Sequence, residues 1–241
     1  VEHEDSISLN KFISSTGECS RREADKLIDQ GRVLLNGLVA RKGNRVGPGD
    51  EVIVDGSYLK KSKKQKVIIA YNKPLGVVCT TDRREANNII DQIKYKERLF
   101  PIGRLDKPSQ GLILLTNDGD IVNKILRAGN KHEKEYIVTT NKAITPSFIK
   151  KMAGGLPILG TTTKKCKVQQ TGTHKFKIIL VQGLNRQIRR MCEFLGYKVA
   201  SLKRVRIMNL HLGNLQEGSW RRLTKQEEED LRKLSSDSSK T

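Results

Sequence analysis

Two stretches carry residues whose types and spacing could do chemistry. In residues 101–119, PIGRLDKPSQGLILLTNDG, Asp106 stands beside Lys107 and two positions from Arg104, immediately ahead of an apolar run. A carboxylate held next to a guanidinium is oriented by it, which suits a nucleophile or a charge-steering group. A plain surface Asp–Arg pair before a core strand fits the same residues. In residues 183–190, GLNRQIRR, the arginines at 186, 189 and 190 are spaced i, i+3 and i+4. On one helical stripe they would repel each other unless anions or acids meet them, so they suit phosphate clamping or a salt bridge to Asp106. The four cysteines and four histidines are scattered with no CxxC, so neither a disulfide framework nor a zinc site is indicated, and the chemistry is expected to need no metal.

The elements that must position these groups are legible in outline. Residues 111–116 are apolar without alternation, as in a strand buried on both faces. Turns flank it, with Asn117-Asp118-Gly119 on the far side and a helix expected from Asp120. Residues 67–71 read as a second buried strand with 77–80 as its partner, joined through Asn72-Lys73-Pro74-Leu75-Gly76, where Pro74 fixes φ and Gly76 permits what a side chain would block. A short helix is expected over 87–93, strands over 136–139, 161–167, 176–181 and 203–212, and helices over 146–153 and 225–235. Asn185 is placed to cap the arginine-bearing helix, Gly196 to end it, and Cys192 to face inward as an inert core thiol. Residues 127–134 read as a polar basic loop.

The N-terminal 60 residues form a separate pattern. Ser8 is placed to cap a helix over 9–15, and Ser20-Arg21-Arg22-Glu23 has the form of a capping box opening a second helix that stops at Gly31. Asn36-Gly37, between apolar pairs, is a hairpin signal, and 51–54 gives a last strand. Residues 57–66, SYLKKSKKQK, hold five lysines in ten positions and supply no core. The expected organisation is a module at 8–56, a basic linker at 57–66, a main domain at 67–235 and a frayed tail at 236–241.

Composition narrows the partner. The chain has 241 residues and a formal net charge of +20, from 46 Lys and Arg against 26 Asp and Glu. At 36% hydrophobic it is a folded-protein composition, so the charge speaks to partners. Nucleic acid is the expected one. A membrane is not, since there is no run of 18 apolar residues, and with no secretory h-region at the start a cytoplasmic location is expected.

The run GRLDKPSQGLILLTNDG at 103–119 resembles the catalytic motif of the RNA pseudouridine synthases that modify ribosomal RNA, in the branch carrying an N-terminal S4 domain. KPLG at 73–76, EKEY at 133–136 and GLNRQIRR at 183–190 fall where that family has its other motifs, and LNKFISSTGECSRREADKLIDQGRVLLNG at 9–37 resembles the S4 RNA-binding domain. The resemblance spans roughly residues 8–223 and implies an α+β fold: a small S4 domain followed by a mixed, mostly antiparallel catalytic sheet with flanking helices. It implies isomerisation of uridine to pseudouridine, with Asp106, Tyr136 and Arg189 catalytic. Arg189 is favoured over Arg186 as the partner of Asp106. RNA contacts are implied for Arg104, Arg186, Arg190 and Lys134, and for Lys11, Arg21, Arg22 and Lys26 of the S4 module. Lys73, Pro74, Gly76, Gly103, Gly111 and Gly183 are implied as scaffold. No cofactor is implied. The partner expected is 23S ribosomal RNA near the peptidyl-transferase centre or a large-subunit assembly intermediate, with tRNA as a further substrate, and the protein is expected to be a monomer. The competing classes are a non-catalytic S4-type assembly factor, which the intact Asp106, Tyr136 and Arg189 set disfavours, and a methyltransferase, whose glycine-rich cofactor loop is missing.

Overall fold

The computed structural model describes residues 6–60, 65–126 and 132–236. Residues 61–64 of the linker expected at 57–66, 127–131 of the loop expected at 127–134 and 237–241 of the tail expected at 236–241 lie outside the described residues. The chain divides into two compact units, Val1–Gln65 and Lys66–Thr241.

In the first unit β1 (Ile7–Ser8) leads into α1 (Leu9–Thr16) and then α2 (Arg21–Asp29). Ser8 occupies the cap position of α1 without a side-chain bond, whereas Ser20 and Glu23 close both halves of the capping box on α2. A sheet of β2 (Val33–Leu35), β3 (Leu38–Val39), β5 (Val52–Val54) and β6 (Ser57–Tyr58) follows, with β4 (Arg45–Val46) between β3 and β5 in the chain and paired with β1. Asn36 and Gly37 both take positive φ between β2 and β3, the geometry of a two-residue hairpin turn. Leu9, Ile13, Ala24, Val33 and Val52 are buried together in one small core. β6 corrects the expected linker start: Ser57 and Tyr58 pair with Val54 and Ile53, because the turn at Asp55-Gly56 folds the chain back before the lysines begin.

The second unit is laid out on a mixed sheet. Its elements in chain order are β7 (Ile68–Lys73), α3 (Ile89–Ile93), β8 (Phe100–Ile102), β9 (Gln110–Thr116), α4 (Gly119–Leu126), β10 (Lys134–Thr140), α5 (Pro146–Gly154), β11 (Pro157–Ile158), β12 (Thr161–Thr162), β13 (Lys167–Gly172), β14 (Lys175–Leu180), α6 (Gln187–Phe194), β15 (Val199–Ile207), β16 (Leu210–His211), β17 (Trp220–Arg222) and α7 (Lys225–Ser236). The strand order is β13-β14-β10-β15-β9-β7-β17, with β8 added to β9 and β16 to β15. Its one parallel contact among the described residues joins β9 to β15.

β9 is buried on both faces, as its unbroken Leu/Ile run requires. Leu112 and Leu114 enter the core shared with Ile121 and Ile125 of α4 and Leu231 of α7, while Ile113 and Leu115 enter the core under α3. Each such side chain contributes roughly 1.5–3 kcal/mol by leaving water. A third core lies between α5, α6 and β14, around Phe148, Met152, Phe176, Met191 and Cys192.

Several expected elements differ. Residues 77–80 make only an isolated bridge, Val78 to Asn88; β7 takes β9 and β17 as neighbours instead, since its fully buried residues need partners on both edges. The strand expected at 161–167 is a two-residue hairpin with β11 followed by β13. Met208 adopts positive φ and breaks the strand expected at 203–212 into β15 and β16.

Candidate active site

Asp106 lies on the connection between β8 and β9, which form an antiparallel hairpin with Ile102 opposite Leu114. Four contacts hold this loop. The Ser109 amide donates to the Asp106 carbonyl (2.9 Å), and the Gly76 amide to the Lys107 carbonyl (2.9 Å). Leu105 is buried, and its amide donates to the Cys79 thiol sulfur (3.4 Å). Arg189 of α6 donates through Nη2 to the Pro108 carbonyl (2.6 Å) and to Ser109 Oγ (3.2 Å).

The scaffold residues act through the same loop. Lys73 is fully buried and donates from Nζ to the carbonyls of Pro74 and Val77, both 2.8 Å. It thereby fixes the turn whose Gly76 amide grips Lys107. Burial lowers the Lys73 pKa, and the charges of Cys79 and Asp106 oppose that shift. Gly111 has a stronger requirement: at φ +107 a Cβ would sit 2.2 Å from the Arg204 carbonyl oxygen and 2.7 Å from its nitrogen. Only glycine lets β9 approach β15 that closely. Gly103 also takes positive φ, whereas a Cβ at Gly183 would meet open space, so no steric demand supports Gly183 as a scaffold position.

A cleft of about 1000 Å³ opens over the loop. Among the described residues that line it, Asp106 is the single carboxylate, against Arg104, Lys107, Lys134, Arg186, Arg189 and Arg204. Tyr136 also lines it, half-buried on β10 and packed against the cores on either side. Tyr136 is the third residue of β10 rather than its first. Lys134, at the start of that strand, donates to the His132 carbonyl (3.2 Å), and burial together with the nearby Arg204 charge lowers its pKa to about 8.

The arginines of 183–190 are not one stripe. Arg186 precedes α6 in left-handed conformation (φ 49) and makes no cap bond, so Asn185 does not cap the helix as expected. Arg186 is exposed at the cleft, and Arg189 is 8% exposed. Arg190 lies outside the cleft lining and braces the loop, donating to the carbonyl and side-chain oxygens of Asn185 (3.1 and 3.2 Å). The Asp106–Arg189 pair is electrostatic only: burial lowers the Arg189 pKa, Arg186 adds to that, and Asp106 raises it. Among the described residues no side chain forms an ion pair with Asp106, Arg104 included. Arg189 reaches the backbone of the loop instead, because Pro108 and Ser109 stand between α6 and the carboxylate.

Sequence reasoning missed four contributors. Arg204 on β15 is 3% exposed and donates from Nε to the Leu112 carbonyl (2.7 Å) and from Nη1 to the Arg104 carbonyl (3.4 Å). Ser109 and Cys79 are buried under the loop. Gln187 is buried and accepts from the Leu184 amide (3.0 Å), ordering the approach to α6. An arginine within an apolar strand was the available signal for Arg204.

In the first unit Arg21, Arg22 and Lys26 are exposed on α2 and Lys11 is half-buried on α1. Among the described residues no group of His, Cys, Asp and Glu is arranged to hold a metal, and no helix is long and apolar enough to cross a membrane. Cys192 is buried, and burial pushes its thiol up to about 12, which leaves it inert at neutral pH.

Comparison with known proteins accounts for both units. The RNA pseudouridylate synthase family matches residues 67–194, and the S4 domain family matches residues 8–52. The chain is 57% identical over 235 residues to the dual-specificity RNA pseudouridine synthase RluF of Escherichia coli K12, covering 97% of this chain and 81% of that one. It is 32% identical over 235 residues to the ribosomal large subunit pseudouridine synthase B of Bacillus subtilis, covering 94% and 96%. A crystal structure of a pseudouridylate synthase superposes with a TM-score of 0.69 at 29% identity, covering 95% of this chain and 99% of that one. With an S4 domain ahead of a catalytic sheet whose cleft holds one carboxylate among cations, the chain belongs to the RNA pseudouridine synthase family, in its S4-carrying, RluF-type branch.

Proposed function

We propose that the enzyme isomerises uridine to pseudouridine in 23S ribosomal RNA near the peptidyl-transferase centre, with Asp106 as the catalytic carboxylate and a tRNA uridine as a second substrate. The observation that carries the role of Asp106 is its isolation: one carboxylate on a braced loop, facing a cleft whose other charged residues are all cations. Such a cleft attracts a polyanion, and its lone anionic oxygens are the groups available to attack carbon. The name of the Bacillus subtilis relative supports a large-subunit substrate, and the dual specificity in the name of the Escherichia coli relative supports a second class of RNA.

A uridine stacked in a helix must first be extruded, at a cost of a few kcal/mol. Arg104, exposed at the cleft rim, supports the displaced backbone and replaces the lost base in the stack. Tyr136 stacks on the flipped uracil. An Asp106 oxygen bonds to ribose C1′ as the C1′–N1 bond breaks, and that bond's electron pair leaves with the uracil. The base turns, C5 attacks C1′, and the C1′–O bond returns its electrons to Asp106. Tyr136 takes the C5 proton as its own hydroxyl proton passes to solvent, and N1 takes one from solvent, so protons and electrons balance and the reaction is an isomerisation with no net redox change. Arg186 meets RNA phosphate from the rim, and Lys11, Arg21, Arg22 and Lys26 contact the phosphate backbone from the S4 domain.

The test is tritium release from C5-labelled uridine in large-subunit RNA, small-subunit RNA and tRNA offered separately. Release from large-subunit RNA and tRNA is expected. Release from small-subunit RNA alone, or tight binding to every RNA with release from none, would overturn the assignment.

A further inference from the structure

Arg204 is a buried charge without a carboxylate partner among the described residues. Of its three nitrogens, Nε donates to the Leu112 carbonyl, Nη1 makes a long bond to the Arg104 carbonyl, and Nη2 is buried with no acceptor. An unmatched buried guanidinium is costly, so a fold that keeps one in the wall of its catalytic cleft obtains something from it. Its two acceptors are informative. Arg104 and Leu112 lie on opposite sides of Asp106 in the chain, Arg104 near the start of the loop and Leu112 in β9 beyond it. The backbone of Arg204 lies against Gly111, next to Leu112 in β9. Arg189 grips the far end of the loop at Pro108 and Ser109, and its own Nε is likewise buried and unpartnered.

We propose that Arg204 is a positioning residue for the pseudouridine reaction: its planar fork ties the start of the loop carrying Asp106 to β9 and fixes where that carboxylate meets ribose C1′. The proposal rests on the role given to Asp106 above. The 3.4 Å bond to Arg104 is the slack in the clamp. Arg104 is also the residue assigned to the displaced strand, so RNA engaging Arg104 draws its carbonyl onto Nη1, and the loop tightens when substrate is present. Bonds that are long in a free enzyme and shorten in the reactive complex behave in this way. A lysine cannot substitute, because its single nitrogen cannot stand where Nε and Nη1 both do.

The test compares Arg204→Lys, Arg204→Met, Asp106→Asn and Arg206→Met in single-turnover tritium release from C5-labelled large-subunit RNA, with RNA affinity and thermal melting measured on each. Arg206 lies two residues along the same strand, is partly buried and pairs with Glu133 and Glu135 (2.9 and 3.1 Å), so it controls for loss of a strand cation. Arg204→Lys is expected to melt near the parent and bind RNA within threefold, while its chemical rate falls about 100-fold, the scale of a misplacement near 1 Å. Arg206→Met is expected to lose stability and keep its rate. Arg204→Met, if it folds, should lose both. Parental rate in Arg204→Lys, or a rate loss in Arg204→Met that only follows its unfolded fraction, would overturn the positioning role. Asp106→Asn separates the two readings: if it is inactive while Arg204→Lys is fully active, Arg204 alone is misassigned, and if it turns over normally, the Asp106 role itself fails.

Discussion

Substituting Gly111 by alanine strikes the contact on which the catalytic sheet closes. The added methyl would lie 2.2 Å from the Arg204 carbonyl oxygen and 2.7 Å from its nitrogen, about 1.3 and 0.8 Å inside an ordinary non-bonded separation near 3.5 Å. Both atoms are main chain, so no rotamer change relieves the overlap. β15 is held on its other edge by β10, and β9 by β7 and β8. Relief therefore means parting β9 from β15 at their only parallel contact among the described residues, Lys203 opposite Gln110 and Arg204 opposite Gly111. Overpacking of this kind costs about 1–3 kcal/mol, and left-handed backbone under a side chain adds about 1–2 kcal/mol. At about 2–4 °C per kcal/mol for a domain of this size, the melting temperature should fall by roughly 5–15 °C. The rate should fall as well, because Arg204 is on β15 and the loop carrying Asp106 runs directly into β9. Circular dichroism melts read the first effect and single-turnover tritium release the second. A variant melting within about 2 °C of the parent, outside the range just derived, with an undiminished rate would refute the close-approach reasoning.

Other consequences are open to test. Lys134, whose folded pKa is lowered to about 8 from an ordinary 10.5, binds fewer protons folded than unfolded between those values. Unfolding free energy should therefore gain, from pH 8 to 10.5, a contribution on the order of 3 kcal/mol that Lys134→Met lacks; equal pH slopes in the two proteins would contradict the buried placement. Reversing Arg21 and Arg22 together to glutamate should weaken RNA binding and reduce the salt slope of log affinity by about two, one per lost phosphate contact. An unchanged slope would remove α2 from the RNA surface. Glu227, paired twice with Arg221 at 2.7 Å and held at about 2, contributes stability that is present above pH 4.5 and lost as pH falls towards 2. Both partners are partly exposed, so Glu227→Gln should cost about 1 kcal/mol or less at neutral pH, and a larger loss in urea titration would mean the pair does more than anchor α7.

What could be read from the sequence was what depends on neighbours in the chain. The capping box at Ser20 and Glu23, the positive-φ turn at Asn36-Gly37, and the two-sided burial of 112–115 are each written within a few residues, and the structure has them. The motif around Asp106 was equally legible. What stayed hidden depends on segments far apart in sequence. The partners of β7 arrive from β9 and β17, the latter some 150 residues later. The acceptors that Arg189 and Arg204 find around the Asp106 loop lie about 80 to 100 positions away. No local pattern distinguishes an arginine that will be buried on two carbonyls from one that will face water. Arg186 shows the converse failure: spacing suggested a helical stripe, but a left-handed residue at the helix start turns it out of that stripe.

The most direct test of the Asp106 assignment is the chemical rate of Asp106→Asn, taken on saturating large-subunit RNA alongside its RNA affinity. The amide keeps the shape of the side chain and removes its charge, on a loop held through the backbone of Arg104, Lys107 and Pro108 and through the Ser109 hydroxyl rather than through the Asp106 carboxylate. Affinity within about threefold of the parent, under 1 kcal/mol, with no detectable tritium release is the predicted result. Release within about tenfold of the parent, a barrier change of only some 1.4 kcal/mol, would contradict a nucleophilic Asp106.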